Sequence, residues 1–298
     1  MKKPLDSNLH GGIDLHIHST ASDGTFTPSE LISMAAQLGL QAIAITDHDT
    51  LEGGRQAQNC AIPDHLRLLS GVEISAAPPE GFSMSGSLHI LGYGIDLNFV
   101  PLQQALADLQ HARDMRIPRI VELLNRLGID ITMPEVLEQV GQGSAGRPHV
   151  ARVLINKGVA TDVNDAFDRF LAKGQPAYVD KYRIPCRRAL DLIHMAKGVS
   201  VLAHPYLVPG GSSQLHMLVK TLKGMGLMGI EAFYPHHTPE GVKLYTDLAR
   251  QFNLLVTGGT DFHGTLTPDI RMGSGRGDLK VPFSVYETLV AHLPNPKQ

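Results

Sequence analysis

Short apolar runs recur along this chain, and most of them lead directly to a histidine or a carboxylate. The first run covers residues 12–17 and continues as Asp14-Leu15-His16-Ile17-His18. In a strand, side chains alternate between two faces, so His16 and His18 would lie together on one face. Imidazole is the commonest neutral metal ligand near pH 7. This segment alone leaves a metal site and a packed or surface histidine pair equally open.

The other apolar runs repeat this arrangement at intervals that leave room for helices. The predicted strands are residues 12–17, 41–46, 66–72, 87–93, 198–203, 229–233 and 254–258. Helical patterns are expected at residues 27–39, 103–127, 186–197, 212–225 and 239–252. The first helix has a clear start, because Thr27 can cap it, Pro28 fits its first position and Glu30 completes a capping box. Strands that alternate with helices and end in polar groups predict an α/β barrel with its site at the carboxyl ends of the strands.

Between residues 99 and 185 the alternation stops and the pattern becomes helical, at 102–127, 134–140, 147–157 and 163–171. We predict a small helical insertion in a barrel formed by residues 1–98 and 186–298. Arginines are frequent in it, and Arg113, Arg116 and Arg119 have the spacing of one helix side. Arg147-Pro148-His149 begins another helix, where free backbone N–H groups favour anions. These cations are either a solvated face or a lid that binds an anionic substrate.

The composition argues against several classes of protein. The chain has 298 residues, of which 43% are hydrophobic and 18% charged, as in globular proteins. Its net charge of −3 provides no basic field for duplex DNA, and no apolar run approaches the roughly 18 residues of a membrane span. Cys60 and Cys186 form no disulfide framework, and the first residues lack the apolar core of a secretory signal. We therefore expect a cytoplasmic protein without membrane partners.

Nine polar groups at or near strand ends are candidate metal ligands. They are His16, His18, Asp23, His48, Glu73, His89, His204, Asp261 and His263. One histidine in an apolar strand, such as His89, is more often a core residue, but nine groups at equivalent places are not explained in that way. Mixed imidazole and carboxylate donors suit Mn²⁺, Fe²⁺ or Zn²⁺ rather than Ca²⁺. The set exceeds one tetrahedral site and predicts two or three ions that share carboxylates.

The motifs that hold these residues resemble those of the PHP (polymerase and histidinol phosphatase) family of the amidohydrolase superfamily. They are Asp14-x-His16-x-His18, Thr46-Asp47-His48-Asp49, Gly71-Val72-Glu73, His204-Pro205 and Thr260-Asp261-x-His263-Gly264. The resemblance implies a distorted (β/α)7 barrel and a trinuclear centre, most simply of Mn²⁺. It assigns one metal to His16, His18, Glu73 and Asp261, a second to Glu73, His89 and His204, and a third to Asp23, His48 and His263. Asp14 is expected outside this set, where it would orient an imidazole.

Four further segments resemble a branch of this family whose members act on nucleotides. They are Gly146-Arg147-Pro148-His149-Val150-Ala151-Arg152, Ala166-Phe167-Asp168-Arg169-Phe170-Leu171, Ala177-Tyr178-Val179 and Tyr234-Pro235-His236-His237-Thr238-Pro239-Glu240. The branch includes 3′,5′-nucleoside bisphosphate phosphatases and enzymes that trim RNA from its 5′ end. The resemblance thus implies a metal-dependent phosphatase that removes the 3′-phosphate of such a nucleotide. The alternative is a 5′–3′ exoribonuclease on short 5′-phosphorylated RNA. A regulatory protein with a degenerate site is opposed by the full ligand set.

The expected chemistry gives each group a role. A metal-bound water would supply the nucleophile. The second phosphate would be bound by Arg147, His149 and two members of the arginine series, for which we select Arg113 and Arg116. His237, just past a strand end, is a candidate acid for the leaving oxygen, a phosphate contact or a structural residue. The sequence predicts no particular base, native metal or oligomeric state.

Overall fold

The structure, a computed structural model, describes residues 12–84, 87–140 and 145–294. The chain divides into two compact units, residues 1–107 with 183–298, and residues 108–182. The smaller unit lies within the predicted insertion of residues 99–185, and its role as a lid stays a prediction. The first residues of the chain, on which we based the expected lack of a secretory signal, lie outside the described residues.

Eight strands form the mixed sheet of the larger unit. They are β1 (Ile13–Ile17), β2 (Ala42–Ile45), β3 (Arg67–Ala77), β4 (Leu88–Tyr93), β5 (Ile184–Pro185), β6 (Val199–Leu202), β7 (Gly229–Phe233) and β8 (Leu255–Gly258). Seven of them follow each other in the order β1-β2-β3-β4-β6-β7-β8, and the short β5 pairs with β3. These seven are the seven predicted strands, so the predicted α/β fold with a distorted barrel sheet is confirmed.

The sheet is curled, and its two edge strands approach each other. Ile17 at the end of β1 forms a parallel bridge with Phe262, beyond β8. The His18 N–H donates to the Phe262 carbonyl at 2.9 Å. The sheet departs from a regular barrel at β4, which runs antiparallel to both β3 and β6. The connection between β3 and β4 is short, and its described residues, 78–84 and 87, form no helix.

Eleven α-helices occur in the described residues. They are α1 (Pro28–Gln37), α2 (Glu52–Gln58), α3 (Val100–Asp114), α4 (Arg116–Arg126), α5 (Met133–Glu138), α6 (Arg147–Asn156), α7 (Val163–Ala166), α8 (Cys186–Met195), α9 (Gly211–Gly224), α10 (Pro239–Gln251) and α11 (Phe283–Val290). The predicted capping box of α1 is present, because Thr27 N–H donates to Glu30 and Glu30 N–H donates back to the Thr27 hydroxyl. None of the helices in the described ranges is long and apolar enough to cross a membrane.

The predicted single helix over residues 103–127 is wrong, because α3 and α4 are separated at Met115. Pro118 has no N–H to donate to the carbonyl of Asp114, so one bond of the helical ladder is lost there. Of the arginine series, Arg113 thus lies at the end of α3 and Arg116 at the start of α4. Within the smaller unit, buried residues of α4 and α6 such as Ile120 and Leu154 share one apolar cluster.

The packing of β1 decides which of its side chains face the site. Ile13 and Leu15 pack into an apolar cluster with Val199 and Val201 of β6. Ile17 packs with the buried face of α1. This burial leaves Asp14, His16 and His18 on the opposite side of the strand, as the alternating pattern predicts.

Candidate metal centre

Buried Glu73 of β3 is the centre of the site. Its two oxygens are approached by His16 Nε2 at 3.3 Å, His18 Nε2 at 3.3 Å, His48 Nδ1 at 3.0 Å, His89 Nδ1 at 2.8 Å and His204 Nε2 at 2.9 Å. A carboxylate has about four lone-pair sites. Five ring nitrogens cannot all donate to it, so the arrangement is that of ligands around cations rather than of a hydrogen-bond network.

The nine predicted residues all lie in this region of the larger unit. Three groups have ligand atoms within 4.8 Å of one another: His16, His18, Glu73 and Asp261; His18, Asp23, His48 and His263; and His48, Glu73 and His89. The first group is the predicted first set. The second adds His18 to the predicted third set. The third shares Glu73 and His89 with the remaining predicted set, whose other member, His204, has its Nε2 3.3 Å from His89 Nδ1.

Several buried atoms in these groups have no hydrogen-bond partner. These atoms are both ring nitrogens of His18, Nδ1 of His48 and Oδ1 of Asp261. His18 Nε2 lies 3.0 Å from Asp261 Oδ1, yet the two atoms form no hydrogen bond. A buried polar atom without a partner costs about 1–3 kcal/mol. A nitrogen and an oxygen that lie this close without a hydrogen bond fit two ligands of one divalent cation, and the donor types suit Mn²⁺, Fe²⁺ or Zn²⁺.

The charges of the site support the same conclusion. Burial would raise the pKa of Glu73, but the surrounding imidazoles hold this pKa well below its usual range. Burial would lower the pKa of His18, but the facing carboxylates of Asp261 and Glu73 raise it to about 10. His48 differs, since burial outweighs the attraction of Glu73 and lowers its pKa to about 3. Neighbouring imidazoles also hold the pKa of Asp261 well below its usual range, against the effect of burial. Glu73 and Asp261 therefore stay ionised and require positive charge, from protons on imidazoles or from cations that replace those protons.

A further buried carboxylate, that of Glu231, holds two of the ligands in place. Glu231 of β7 accepts a hydrogen bond from His16 Nδ1 at 2.9 Å and another from the His204 backbone N–H at 2.7 Å. The first bond leaves Nε2 of His16 free to bind a metal. Sequence reasoning missed Glu231, although an acidic residue inside an otherwise apolar strand was a usable signal.

Asp14 has a different role from the one expected. Its carboxylate accepts hydrogen bonds from the Thr260 N–H and hydroxyl, at 2.9 and 2.6 Å, and from the Gly273 N–H at 2.8 Å. It therefore connects β1 to the loop that carries Asp261, whereas Glu231 orients an imidazole.

Three of the five non-glycine residues with positive φ in the described ranges lie at the same place. Asp49, His204 and Asp261 have φ values of 53°, 26° and 53°, in the left-handed region that favours glycine. Two of them are candidate ligands, and Asp49 accepts a hydrogen bond from the Ser75 N–H on β3 at 2.7 Å. Residues held in such conformations cost about 1–3 kcal/mol each and cluster at functional sites.

The predicted phosphate-binding residues of the smaller unit have contacts within that unit. Arg147 donates to the carbonyl of Leu171 at 3.0 Å and lies over the rings of Phe167 and Tyr178. Arg116 donates through Nε to the carbonyl of Val179 at 3.1 Å. Nδ1 of His149 accepts from the Gly146 N–H at the start of α6. Arg113 lies at the end of α3 and has polar contacts of its own. A role for these residues with substrate stays a prediction.

His237 lies in the turn after β7. Its Nδ1 donates to the carbonyl of Ala232 at 2.8 Å, because that oxygen can only accept. Its buried Nε2 has no partner. Burial lowers the pKa of this imidazole, so at neutral pH Nε2 carries a lone pair. The predicted role as an acid would require a proton to be taken up there first.

Comparisons with known proteins give this site a family. A profile of the PHP domain matches residues 14–141. The 5′-3′ exoribonuclease Rnm of Escherichia coli is 33% identical over 261 residues, 87% of each protein. The 3′,5′-nucleoside bisphosphate phosphatase of Chromobacterium violaceum is 31% identical over 256 residues, 84% of this chain and 87% of that protein. A solved structure of a candidate metal-dependent phosphoesterase from Bifidobacterium adolescentis has a TM-score of 0.69 and 30% identity, covering 96% of this chain and 97% of the other. With its ligand geometry and relatives of this coverage, the chain belongs to the PHP family and is a metal-dependent phosphoester hydrolase.

Proposed function

We propose that this protein removes the 3′-phosphate from nucleoside 3′,5′-bisphosphates and leaves the nucleoside 5′-monophosphate and phosphate. The observation that carries the proposal is the buried Glu73 carboxylate with five imidazoles within 3.3 Å of it. The name of the similar protein from Chromobacterium violaceum supports the substrate class.

In this proposal the ligand groups hold three divalent ions, with Mn²⁺ as the first choice. Glu73 is shared between sites, and the most exposed ligand, Asp23, belongs to the outermost one. When bound, such ions activate water and neutralise the charge of the phosphoryl oxygens. The number and identity of the ions and a cytoplasmic location are part of the proposal.

Arg113, Arg116, Arg147 and His149 remain the residues proposed to bind the second phosphate. The contacts of Arg147 fix its side chain without using all of its hydrogen-bonding capacity. A guanidinium has five N–H donors. In Arg147, one N–H of Nη1 donates to the Leu171 carbonyl. The remaining donors suit a planar, bidentate contact with phosphate.

We propose that His237 contacts the substrate as a hydrogen-bond acceptor through Nε2. Its fixed Nδ1–H···O=C bond determines the tautomer, and its lowered pKa keeps Nε2 unprotonated at neutral pH. In this state it accepts from a hydroxyl of the substrate or from water. It can donate to the leaving oxygen only after it has taken up a proton.

A 5′–3′ exoribonuclease is the second candidate function, favoured by the similar protein from Escherichia coli. Both reactions cleave a phosphoester on the 3′ side of a nucleotide and could use the same 5′-phosphate anchor. In both, the 3′ oxygen of the nucleoside 5′-phosphate is the leaving atom. They differ in the phosphoryl group that is attacked, which becomes free phosphate in one case and the 5′-phosphate of the remaining RNA chain in the other.

The test is hydrolysis by Mn²⁺-loaded protein of adenosine 3′,5′-bisphosphate and, in parallel, of a 5′-phosphorylated RNA trinucleotide. Asp261→Asn keeps the side-chain volume, removes a candidate ligand charge and serves as the inactive control. Asp269→Asn is the matched control, since Asp269 is exposed and pairs with Arg276. Products are separated by anion-exchange chromatography.

Phosphate and AMP formed by wild type and Asp269→Asn, and not by Asp261→Asn, would support the phosphatase. A trinucleotide shortened from its 5′ end, with slow phosphate release, would make the nuclease the main activity. Wild type equal to Asp261→Asn on both substrates would refute both assignments.

A further inference from the structure

Aromatic rings lie together beside the metal centre, at the ends of β6 and β7. The Tyr206 and His236 rings are stacked, with centroids 5.6 Å apart and planes 20° from parallel. Tyr234 lies against both, at 5.4 Å from Tyr206 and 5.8 Å from His236. His236 is exposed, and Tyr206 is 40% exposed. The cluster thus has a buried base and an outer face open to solvent.

Tyr234 connects this cluster to the metal ligands. Its hydroxyl donates to Asp261 Oδ2 at 2.8 Å, and its ring lies 5.7 Å from that of His204. Because Asp261 Oδ1 is the atom within reach of His16 and His18, the two oxygens of Asp261 have separate partners. Asp261 therefore links the aromatic cluster directly to the ions that the centre would hold.

A cavity of about 210 Å³ lies between the cluster and the metal centre. It is lined by Tyr234, His236, Thr260, Asp261, His263, Leu266, Thr267 and Ile270. Two of these residues are candidate metal ligands, two belong to the aromatic cluster, and two are apolar. Pockets for drug-sized ligands are larger, at about 300–1,000 Å³, so this one suits a single flat ring system.

Thr267 adds a polar group to the wall of the cavity. Its Oγ1 is buried and has no hydrogen-bond partner. Buried hydroxyls in native proteins are normally paired. A ligand with donors and acceptors along its edge would satisfy this group.

We propose that this cavity binds the nucleobase of the substrate, which stacks on His236 while Tyr206 supports the other face of that imidazole. The inference rests on the proposed function, because it assumes a nucleotide substrate. A nucleobase offers what the cavity lacks: a flat π-face for the ring and a polar edge for Thr267. The lining of the cavity places the base next to Asp261 and His263, two of the candidate metal ligands.

The test is calorimetric binding of AMP and of ribose 5-phosphate to the Mn²⁺-loaded protein. Stacking of a base on an aromatic side chain is worth about 1–3 kcal/mol by alanine substitution, so His236→Ala should weaken AMP about 10-fold. Ribose 5-phosphate has no base, and its affinity should not change. His236→Phe should restore AMP binding, and His65→Ala, at an exposed histidine in the loop before β3, should leave it unchanged.

Unchanged AMP affinity in His236→Ala, or an equal loss for AMP and ribose 5-phosphate, would overturn the proposal. So would a change in oligomeric state of this variant by sedimentation, which would assign the aromatic face to a second copy of the chain. Failure of the proposed function is read separately, as absence of phosphate release by wild type. A wild type that binds AMP through His236 without hydrolysing either substrate would keep the base site and refute the proposed function.

Discussion

The buried carboxylate of Glu231 offers the sharpest test of how the metal centre is held. One of its oxygens accepts from His16 Nδ1 and the other from the His204 backbone N–H, at 2.9 and 2.7 Å. In Glu231→Gln, one of these oxygens becomes an NH₂ group, which cannot accept. Either the His16 tautomer or the backbone position of His204 loses its support, while the volume of the side chain stays the same.

The size of the effect follows from this geometry. Loss of the partner that orients a metal-bound histidine costs about 10- to 100-fold in metal affinity, which is about 1.4–2.7 kcal/mol. The metal-free variant should also lose about 1–3 kcal/mol of unfolding free energy, since a buried donor is left without an acceptor. The two losses are separable because only the first depends on metal.

The assay is Mn²⁺ titration by calorimetry at pH 7.5, with urea unfolding in excess chelator as the second measurement. Glu287→Gln, at an exposed glutamate on α11, controls for the loss of one charge. Wild-type Mn²⁺ affinity in folded Glu231→Gln would refute the role of this carboxylate in orienting His16. An equal loss of Mn²⁺ affinity in Glu287→Gln would show that the effect comes from the change in net charge.

Two further predictions concern stability. A Cβ at Gly259 would lie 2.4 Å from the His16 Cβ and backbone N. Gly259→Ala should therefore lower the free energy of unfolding by about 1–3 kcal/mol and shift the urea midpoint to a lower concentration. Gly224→Ala, where a Cβ meets nothing within 4 Å, should not lower it; equal midpoints would contradict the packing argument. A hydrogen bond of 2.9 Å joins Nε2 of His194 to the Ser200 hydroxyl, and burial lowers the pKa of this imidazole below 6.5. The unfolded state then binds the proton more readily, so stability should fall as pH drops below about 6.5. His194→Asn should make this decline shallower in urea titrations between pH 7 and 5, and parallel curves would contradict the assignment.

The strand ends could be predicted from the sequence because their signal is local. His16 and His18 alternate with apolar residues that the core requires, and Asp261 and His263 directly follow the run of β8. Parallel strands bring their carboxyl ends to one edge of the sheet. The sequence order of the ligands was therefore enough to place them together, although groups such as His16, Glu73 and Asp261 join residues that are far apart in sequence.

The antiparallel direction of β4 is less obvious from the sequence, but it can be inferred from the length of the connection between β3 and β4. Parallel neighbours need a crossover of about a dozen or more residues, usually a helix. Only residues 78–87 separate β3 from β4. Such a connection suits an antiparallel pair, which is what brings His89 of β4 next to Ser75, two residues beyond Glu73.

Glu231 could not be assigned from the sequence for a different reason. Its partners are the side chain of His16, 215 positions away, and the backbone of His204. Nothing local distinguishes it from a strand carboxylate that points to solvent, except that its neighbours in β7 are apolar. Once the sheet closes through Ile17 and Phe262, the interior positions of β7 face β1, and a carboxylate there must meet a donor or remain unpaired in the core. The ligands of such a centre can thus be read from strand ends, whereas the groups that orient them depend on closure of the sheet.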